Sequence, residues 1–198
     1  MNYFIADLHF GCTNSFEGRT LEHDQLIIDN WNSTVTNSDT VFVLGDIGRI
    51  GGNKDNEYLC KCLSVLKGRK VCILGNHDSG LKDIRLRQIF TEVCDYKEIV
   101  DNFNGASYKI IMSHYPILFY NQQHKKNTIH LYGHVHISDE WEAYKKCLSN
   151  VNDFFKDKTM KGCTDCPPAV AYNSGCMLPY MNYTPRTLKE IISTYENN

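Results

Sequence analysis

The sequence lacks any uninterrupted apolar run that approaches the roughly 20 residues of a membrane-spanning helix. We also expect no secretory leader, because Met1 leads directly into a predicted strand without a basic segment and a long apolar one. Internal repeats and low-complexity segments are absent as well. We therefore expect a soluble, cytoplasmic protein with no membrane partner, and the length of 198 residues predicts one domain over residues 1–198.

An excess of charge of either sign is also absent, since the formal net charge is −2 at pH 7. Nucleic-acid-binding proteins usually carry a basic surface, and nothing in the total charge indicates one here. A local basic patch is still compatible with this balance, so nucleic acid remains an open partner. The sequence likewise leaves the oligomeric state open.

A disulfide framework is not expected, because the nine cysteines are odd in number and no secretory signal precedes them. Cys163 and Cys166 have the two-residue spacing of a zinc knuckle, yet no second pair supplies the remaining two ligands. We therefore favour ordinary loop thiols, and a structural zinc or a redox role is the alternative.

Apolar segments followed directly by metal-binding residue types recur along the sequence. The predicted strands and the residues that follow them are 3–6 before Asp7 and His9, 41–44 before Asp46, 70–74 before Asn76, 108–112 before His114, and 128–132 before His134 and His136. In α/β proteins, ligands bind at the carboxyl ends of strands. We therefore expect these side chains to meet at one edge of the fold.

The remaining pattern predicts an α/β protein. Helical spacing of apolar residues predicts helices at about 20–36, 58–66, 81–90, 138–155 and 185–195. Strands that alternate with helices in the first half predict a mostly parallel sheet. The Asn104-Gly105 turn predicts a hairpin between strands at 94–103 and 106–113, which adds antiparallel pairing. A last strand is expected at 169–173.

The residue types in these turns indicate a metal centre. The candidate ligands are oxygen and imidazole donors: Asp7, His9, Asp46, Asn76, His114, His134 and His136. Such donors suit manganese, iron, nickel or zinc, and we expect manganese first. Seven ligands exceed what one ion accepts but divide into two sets if one carboxylate bridges, which predicts two divalent ions and hydrolysis of a phosphate ester.

The turn sequences resemble those of the calcineurin-like metallophosphoesterase superfamily. Its pattern of Asp-x-His, Gly-Asp, Gly-Asn-His-Asp/Glu, His and Gly-His-x-His is present here at residues 7–9, 45–46, 75–78, 114 and 133–136. The segments 5–11, 172–175 and 182–185 look like those of small single-domain phosphoesterases from bacteria and phages. The resemblance implies a four-layer α/β/β/α sandwich of two mixed β-sheets flanked by helices.

The resemblance also implies a role for each matched residue. Asp7, His9 and His136 would bind the first ion, Asn76, His114 and His134 the second, and Asp46 would bridge them. His77 would face the scissile phosphate, where a protonated imidazole neutralises charge or protonates the leaving oxygen. Asp78, next to His77, is the candidate for orienting that ring.

Three further residues are candidate substrate contacts. Arg49 replaces the carboxylate that related protein phosphatases carry three residues after the bridging aspartate; a phosphate contact and a solvated loop arginine are equally compatible with it. Cys12 stands where similar small phosphoesterases often have histidine. His124, beside two lysines, could meet a phosphate, although a solvated loop is favoured.

These patterns predict a dinuclear metal-dependent phosphoesterase acting on phosphodiesters, small phosphorylated molecules or nucleotides. The alternatives are a phosphomonoesterase or protein phosphatase and, less favoured, a non-catalytic protein-binding scaffold of the same fold.

Overall fold

Two four-stranded sheets form the centre of the protein in the computed structural model, which describes residues 1–12, 19–48, 53–78, 81–156 and 166–195. The first sheet has the strands β1 (Asn2–Ile5), β2 (Thr40–Val43), β3 (Arg69–Ile73) and β4 (Glu92–Cys94) in that order. The second has β5 (Tyr96–Phe103), β6 (Ala106–Ser113), β7 (Thr128–Tyr132) and β8 (Val170–Asn173) in that order. The helices are α1 (Leu21–Thr34), α2 (Asn53–Ser64), α3 (Ile84–Arg87), α4 (Asp139–Phe155) and α5 (Leu188–Tyr195).

Strand direction differs between the two sheets. The described strand pairs of the first sheet are all parallel, because each connection between successive strands passes through a helix. In the second sheet, β5 and β6 form an antiparallel hairpin, and β6, β7 and β8 are parallel. Asn104 and Gly105 have φ values of 52° and 74°, as a two-residue hairpin turn requires. The hairpin prediction is thus confirmed. The resemblance implied two mixed sheets, but among the named strands only those of the second sheet pair in both directions.

Alternation along β1 separates two apolar layers. Tyr3 and Ile5 pack in one cluster with Trp31 of α1, whereas Phe4 packs in a second cluster with Ile110 and Ile129 of the other sheet. Successive side chains of a strand point to opposite faces, so β1 contributes to both clusters. Full burial of each of these large side chains stabilises the fold by about 1.5–3 kcal/mol.

The outer face of the second sheet is covered by α4. Tyr144 of α4 contacts Tyr132 of β7 with ring centroids 4.9 Å apart, and Leu148 packs in the same cluster. Ser138 caps this helix by accepting the Trp141 N–H at 3.4 Å. The layers are therefore helix, sheet, sheet and helix, and the predicted α/β sandwich is confirmed.

Several predicted boundaries were wrong. The predicted strand at 94–103 is divided at Asp95, because β4 pairs with β3 while β5 belongs to the other sheet. No glycine or proline marks this change of sheet. The helix predicted at 81–90 is only the short α3, which starts after the Asp83 carboxylate accepts the Arg85 N–H at 3.0 Å.

The last helix begins later than Pro185, where we placed its first turn. Thr187 and Glu190 form a reciprocal cap: the Thr187 hydroxyl accepts the Glu190 N–H at 3.3 Å, and the Glu190 carboxylate accepts the Thr187 N–H at 2.8 Å. Cys163 lies outside the described residues, so the choice between loop thiols and a zinc or redox role for Cys163 and Cys166 stays a prediction. None of the helices in the described ranges is long and apolar enough to cross a membrane.

Candidate metal centre

The predicted ligand turns leave adjacent strand ends of the two sheets. Two contacts join these edges: the Ala6 N–H donates to the Ser174 carbonyl at 2.7 Å, and the His134 N–H donates to both carboxylate oxygens of Asp7 at 3.1 Å. The exits of β1, β7 and β8 therefore lie side by side. These two contacts bring ligands from distant parts of the chain into one site.

Most of these ligand residues have a left-handed backbone. The residues concerned and their φ values are Asp7 (58°), His9 (47°), Asp46 (52°), His134 (73°) and His136 (42°). Residues other than glycine rarely adopt this conformation, and it is concentrated at functional sites. The chain thus turns sharply at each position, within four residues of the end of a strand.

Close approach of the turns depends on two glycines. A Cβ atom at Gly75 would lie 2.3 Å from Asp46 Oδ1, and one at Gly133 would lie 2.7 Å from the Ala6 Cβ atom. Any larger residue would push the Asp46 or Asp7 turn away. Gly75, which precedes Asn76, and Gly133, which precedes His134, are therefore required by the close packing between turns.

The first ligand group contains Asp7, His9 and His136, whose potential ligand atoms all lie within 4.8 Å of one another. Asp7 and His9 are buried. His9 Nε2 is buried and has no hydrogen-bond partner among the described residues. A buried polar atom without a partner is costly, and a bound cation would satisfy it.

The second group contains Asp46, His114 and His134, again within 4.8 Å. His114 Nδ1 lies 2.8 Å from the Leu44 carbonyl oxygen, which assigns the ring proton to Nδ1. His114 Nε2 then presents its lone pair 3.0 Å from Asn76 Oδ1, so two acceptors face each other. A cation bound by both atoms would make this unfavourable pair favourable. The residues present therefore fit a divalent ion.

Asp46 lies between the two groups. Its Oδ2 atom is 3.7 Å from His9 Nε2 and 3.6 Å from His114 Nε2, and its Oδ1 atom accepts the His77 N–H at 2.9 Å. A single carboxylate oxygen thus faces an imidazole of each group. Both His/Asp groups could hold a metal ion, and Asp46 is placed to serve both.

Burial favours the neutral forms of three of the ligand residues, Asp7, His9 and His134. It raises the pKa of Asp7 to about 8 and lowers the pKa of His9 to about 2. Burial also lowers the pKa of His134. Neutral imidazole is the form that binds metals, whereas the buried carboxylate needs a compensating cation to ionise.

The role predicted for Asp78 needs correction. Its buried carboxylate accepts backbone N–H groups from Asp46 at 2.8 Å, Ile47 at 2.9 Å and Gly75 at 2.8 Å, and no described hydrogen bond joins it to the His77 ring. Adjacency in sequence suggested the His77 ring as the partner of Asp78. The Asp78 side chain instead points toward the backbone of Asp46, Ile47 and Gly75. Asp78 therefore positions the Asp46 turn.

The other predicted site residues occupy varied positions. His77 is exposed, with its ring centroid 5.8 Å from that of His9. The Cys12 N–H donates to the His9 carbonyl at 3.0 Å. His124 contacts Gln123, Pro167 and Phe155, so its described contacts do not place it at either ligand group. Arg49 lies outside the described residues.

Sequence reasoning missed Arg19, which follows the first ligand turn in a loop with no recognisable motif. Its side chain is buried, and Nη2 lies 3.5 Å from His136 Nε2. Tyr115 was missed as well. Its half-exposed ring lies 4.5 Å from the His134 ring, and its position directly after His114 was the available signal.

Comparison with known protein families gives no match. The chain is 41% identical over 81 residues to the Gene 66 protein of Mycobacterium phage L5, which covers 38% of the chain and 39% of the phage protein. The Gene 66 protein of Mycobacterium phage D29 is 29% identical over 155 residues, covering 68% of the chain and 77% of that protein. A solved protein of unknown function from Aquifex aeolicus has a TM-score of 0.65 at 24% identity and covers 98% of each chain. The last similarity shows a shared fold, so function is argued from the site.

Proposed function

We propose that this protein is a dinuclear metal-dependent phosphoesterase of the calcineurin-like superfamily, which its turn sequences resemble. The observation that carries the proposal is the position of Asp46 Oδ2, 3.7 Å from His9 Nε2 and 3.6 Å from His114 Nε2. A bridging carboxylate needs this placement between two ligand groups. Manganese is the first candidate ion, with iron, nickel and zinc as alternatives.

Each part of the chain has a distinct task in the proposed reaction. Asp7, His9 and His136 would hold one ion, and His114, His134 and Asn76 the other. When bound, the two ions would supply an acidified water molecule and offset charge on the phosphoryl group. Asp78 keeps Asp46 in place through three backbone hydrogen bonds.

His77 is assigned to the substrate. It belongs to neither ligand group, its side chain is exposed, and its backbone is fixed by the Asp46 carboxylate. A protonated imidazole at this place donates its proton to the leaving oxygen as the ester bond breaks. The substrate would be a phosphodiester, a small phosphorylated molecule or a nucleotide.

Two other functions make different demands on the site. A phosphomonoesterase or protein phosphatase would use the same ligands and differ only in substrate preference. A protein-binding scaffold would not need the metal ligands, so the complete donor set argues against it. The buried Nε2 atom of His9, which has no hydrogen-bond partner among the described residues, argues against it as well.

The direct test combines metal analysis with two substrates. Protein purified with manganese should contain close to two ions per chain, and it should hydrolyse bis-p-nitrophenyl phosphate faster than p-nitrophenyl phosphate. Removal of the ions by a chelator should abolish hydrolysis, and added manganese should restore it. Faster turnover of the monoester would select the phosphatase alternative. Full activity without metal would refute the proposal.

A further inference from the structure

A cavity of about 330 Å³ adjoins the candidate metal centre. His134 and His136, one from each ligand group, form part of its wall. Ligand-binding cavities usually have volumes of about 300–1,000 Å³ and mostly apolar walls with a few polar groups. The cavity is therefore large enough for one small organic group attached to a phosphate at the metal centre.

The walls combine apolar side chains with two opposite charges. Ile137, Met177 and Leu178 provide apolar surface, and Arg19 and Glu140 provide the charges. The Arg19 guanidinium lies 3.5 Å from the His136 ring nitrogen, so the positive charge stands next to the first ligand group. Guanidinium pairs well with phosphate oxygens.

The negative charge of Glu140 restricts what the cavity accepts. Glu140 lies in the first turn of α4, and its side chain is exposed. A carboxylate there repels a second phosphate and accepts a hydrogen bond from a hydroxyl, amide or amine. The favoured occupant thus has an apolar body, at least one hydrogen-bond donor and no further negative charge.

His77 is not among the described residues that line this cavity. His77 is assigned to the leaving oxygen, so the leaving group lies near His77. The cavity, which His77 does not line, would then hold the group that stays on phosphorus. This step rests on the proposed phosphoesterase function.

We propose that the cavity is a specificity pocket for a nucleoside retained on the phosphate, which makes the substrate class nucleoside phosphodiesters. Arg19 holds a phosphate oxygen, the apolar wall contacts the base, and Glu140 accepts a hydrogen bond from the nucleoside. In the reaction the water oxygen bonds to phosphorus as the bond to the leaving oxygen breaks, giving a nucleoside monophosphate and an alcohol.

Two substrates with the same leaving group test the pocket. Methyl p-nitrophenyl phosphate and thymidine 5′-(p-nitrophenyl phosphate) both release p-nitrophenolate and differ only in the retained group. We expect kcat/KM to be at least about tenfold higher for the thymidine ester, since even one methylene in an apolar pocket changes selectivity about 10-fold or more. Ile137→Trp should narrow the pocket and reduce this ratio.

A matched control is Ile84→Trp on α3. Ile84 is 63% exposed and Ile137 is 65% exposed, so both substitutions add the same ring to an exposed isoleucine, but only Ile137 lines the cavity. The ratio should be unchanged in Ile84→Trp. Melting temperatures of both variants show whether each has folded.

Calorimetry of the manganese-loaded protein supplies a readout that does not depend on turnover. Thymidine 5′-monophosphate should bind more tightly than inorganic phosphate, and Ile137→Trp should remove the difference. Thymidine 3′,5′-bisphosphate should bind more weakly than the monophosphate, and Glu140→Gln should narrow that gap several-fold.

The outcomes separate the pocket from the proposed function. Equal kcat/KM for the two esters, or an equal loss on both in Ile137→Trp, would overturn the pocket while phosphoesterase activity stands. If neither ester is hydrolysed, the phosphoesterase proposal fails and calorimetry alone tests the pocket. Weaker thymidine monophosphate binding in Ile137→Trp would then support a nucleotide site in the cavity. Unchanged binding in that variant would overturn the pocket.

Discussion

The two ligand groups differ in how the protein holds them. In the second group, His114 is fixed by the Leu44 carbonyl and faces Asn76. The carboxylate oxygens of Asp46 and Asp7 lie 3.6 Å and 3.9 Å from its ring nitrogens, so the charges described beside this ring are negative. In the first group, His9 Nε2 has no hydrogen-bond partner among the described residues, and the Arg19 guanidinium lies beside His136. A fixed positive charge weakens the binding of a cation nearby. We therefore infer that the second group binds its ion more tightly than the first.

The largest effect is expected at Asp46, which faces both groups. Asp46→Asn removes the shared negative charge, so occupancy at both groups and turnover should fall together. The loss of turnover should exceed the roughly 10²–10⁴-fold typical of removing an acid–base group. Elemental analysis and steady-state kinetics measure the two quantities. Unchanged turnover in this variant would mean that the carboxylate does not link the groups.

His77 belongs to neither group and therefore tests the division between metal and substrate roles. His77→Ala should keep both ions and lose about 10²–10⁴-fold in turnover. The loss should be larger for an alkyl or ribose leaving group than for p-nitrophenolate, which needs little protonation. Equal losses would favour phosphate positioning, and loss of an ion would assign His77 to a ligand group.

Removing one histidine from each group tests the inferred order of affinity. In a manganese titration of the wild-type protein, His114→Gln should eliminate the tighter binding step and His9→Gln the weaker one. Each loss should exceed the roughly 10–100-fold that outer-shell partners typically contribute. Identical titrations for the two variants would contradict a difference between the groups.

The smallest effect is expected at Arg19. Arg19→Gln removes the positive charge beside the first group, so the affinity of the first group for manganese should rise by at least about tenfold, the effect of a unit charge roughly 6 Å from a divalent ion at a dielectric constant of about 80. Binding of inorganic phosphate should weaken in the same variant. Calorimetry measures both affinities, and Arg19→Lys, which keeps the charge, is the control. Weaker manganese binding in Arg19→Gln would disprove the electrostatic explanation.

The sequence predicted the turns that carry the ligands because each one is a local pattern, an apolar strand followed by a polar metal-binding residue. A glycine stands before that residue in the turns of Asp46, Asn76 and His134. Asp7 and His134, for example, each follow such a strand, and the structure brings them into contact. Their functional roles remain predictions.

Long-range partners could not be predicted in this way. Asp78 bonds to backbone groups 31 and 32 residues away, and Arg19 meets His136 across 117 residues. No local spacing encodes either contact. The change of sheet at Asp95 was missed for the same reason, since which sheet a strand joins depends on its neighbours in space.

The left-handed backbone of the ligand turns has a consequence for the protein's tolerance to change. At Asp7, φ is 58°, a conformation that glycine adopts more readily than aspartate. Aspartate at this position therefore lowers the free energy of unfolding of the metal-free protein but provides a ligand for a cation. In the absence of metal, Asp7→Gly should unfold at a higher temperature than the parent, and saturating manganese should reverse that ranking. In a related protein that no longer needs a metal ion, we accordingly expect the ligand residues in the turns to be replaced before the apolar residues of the strands.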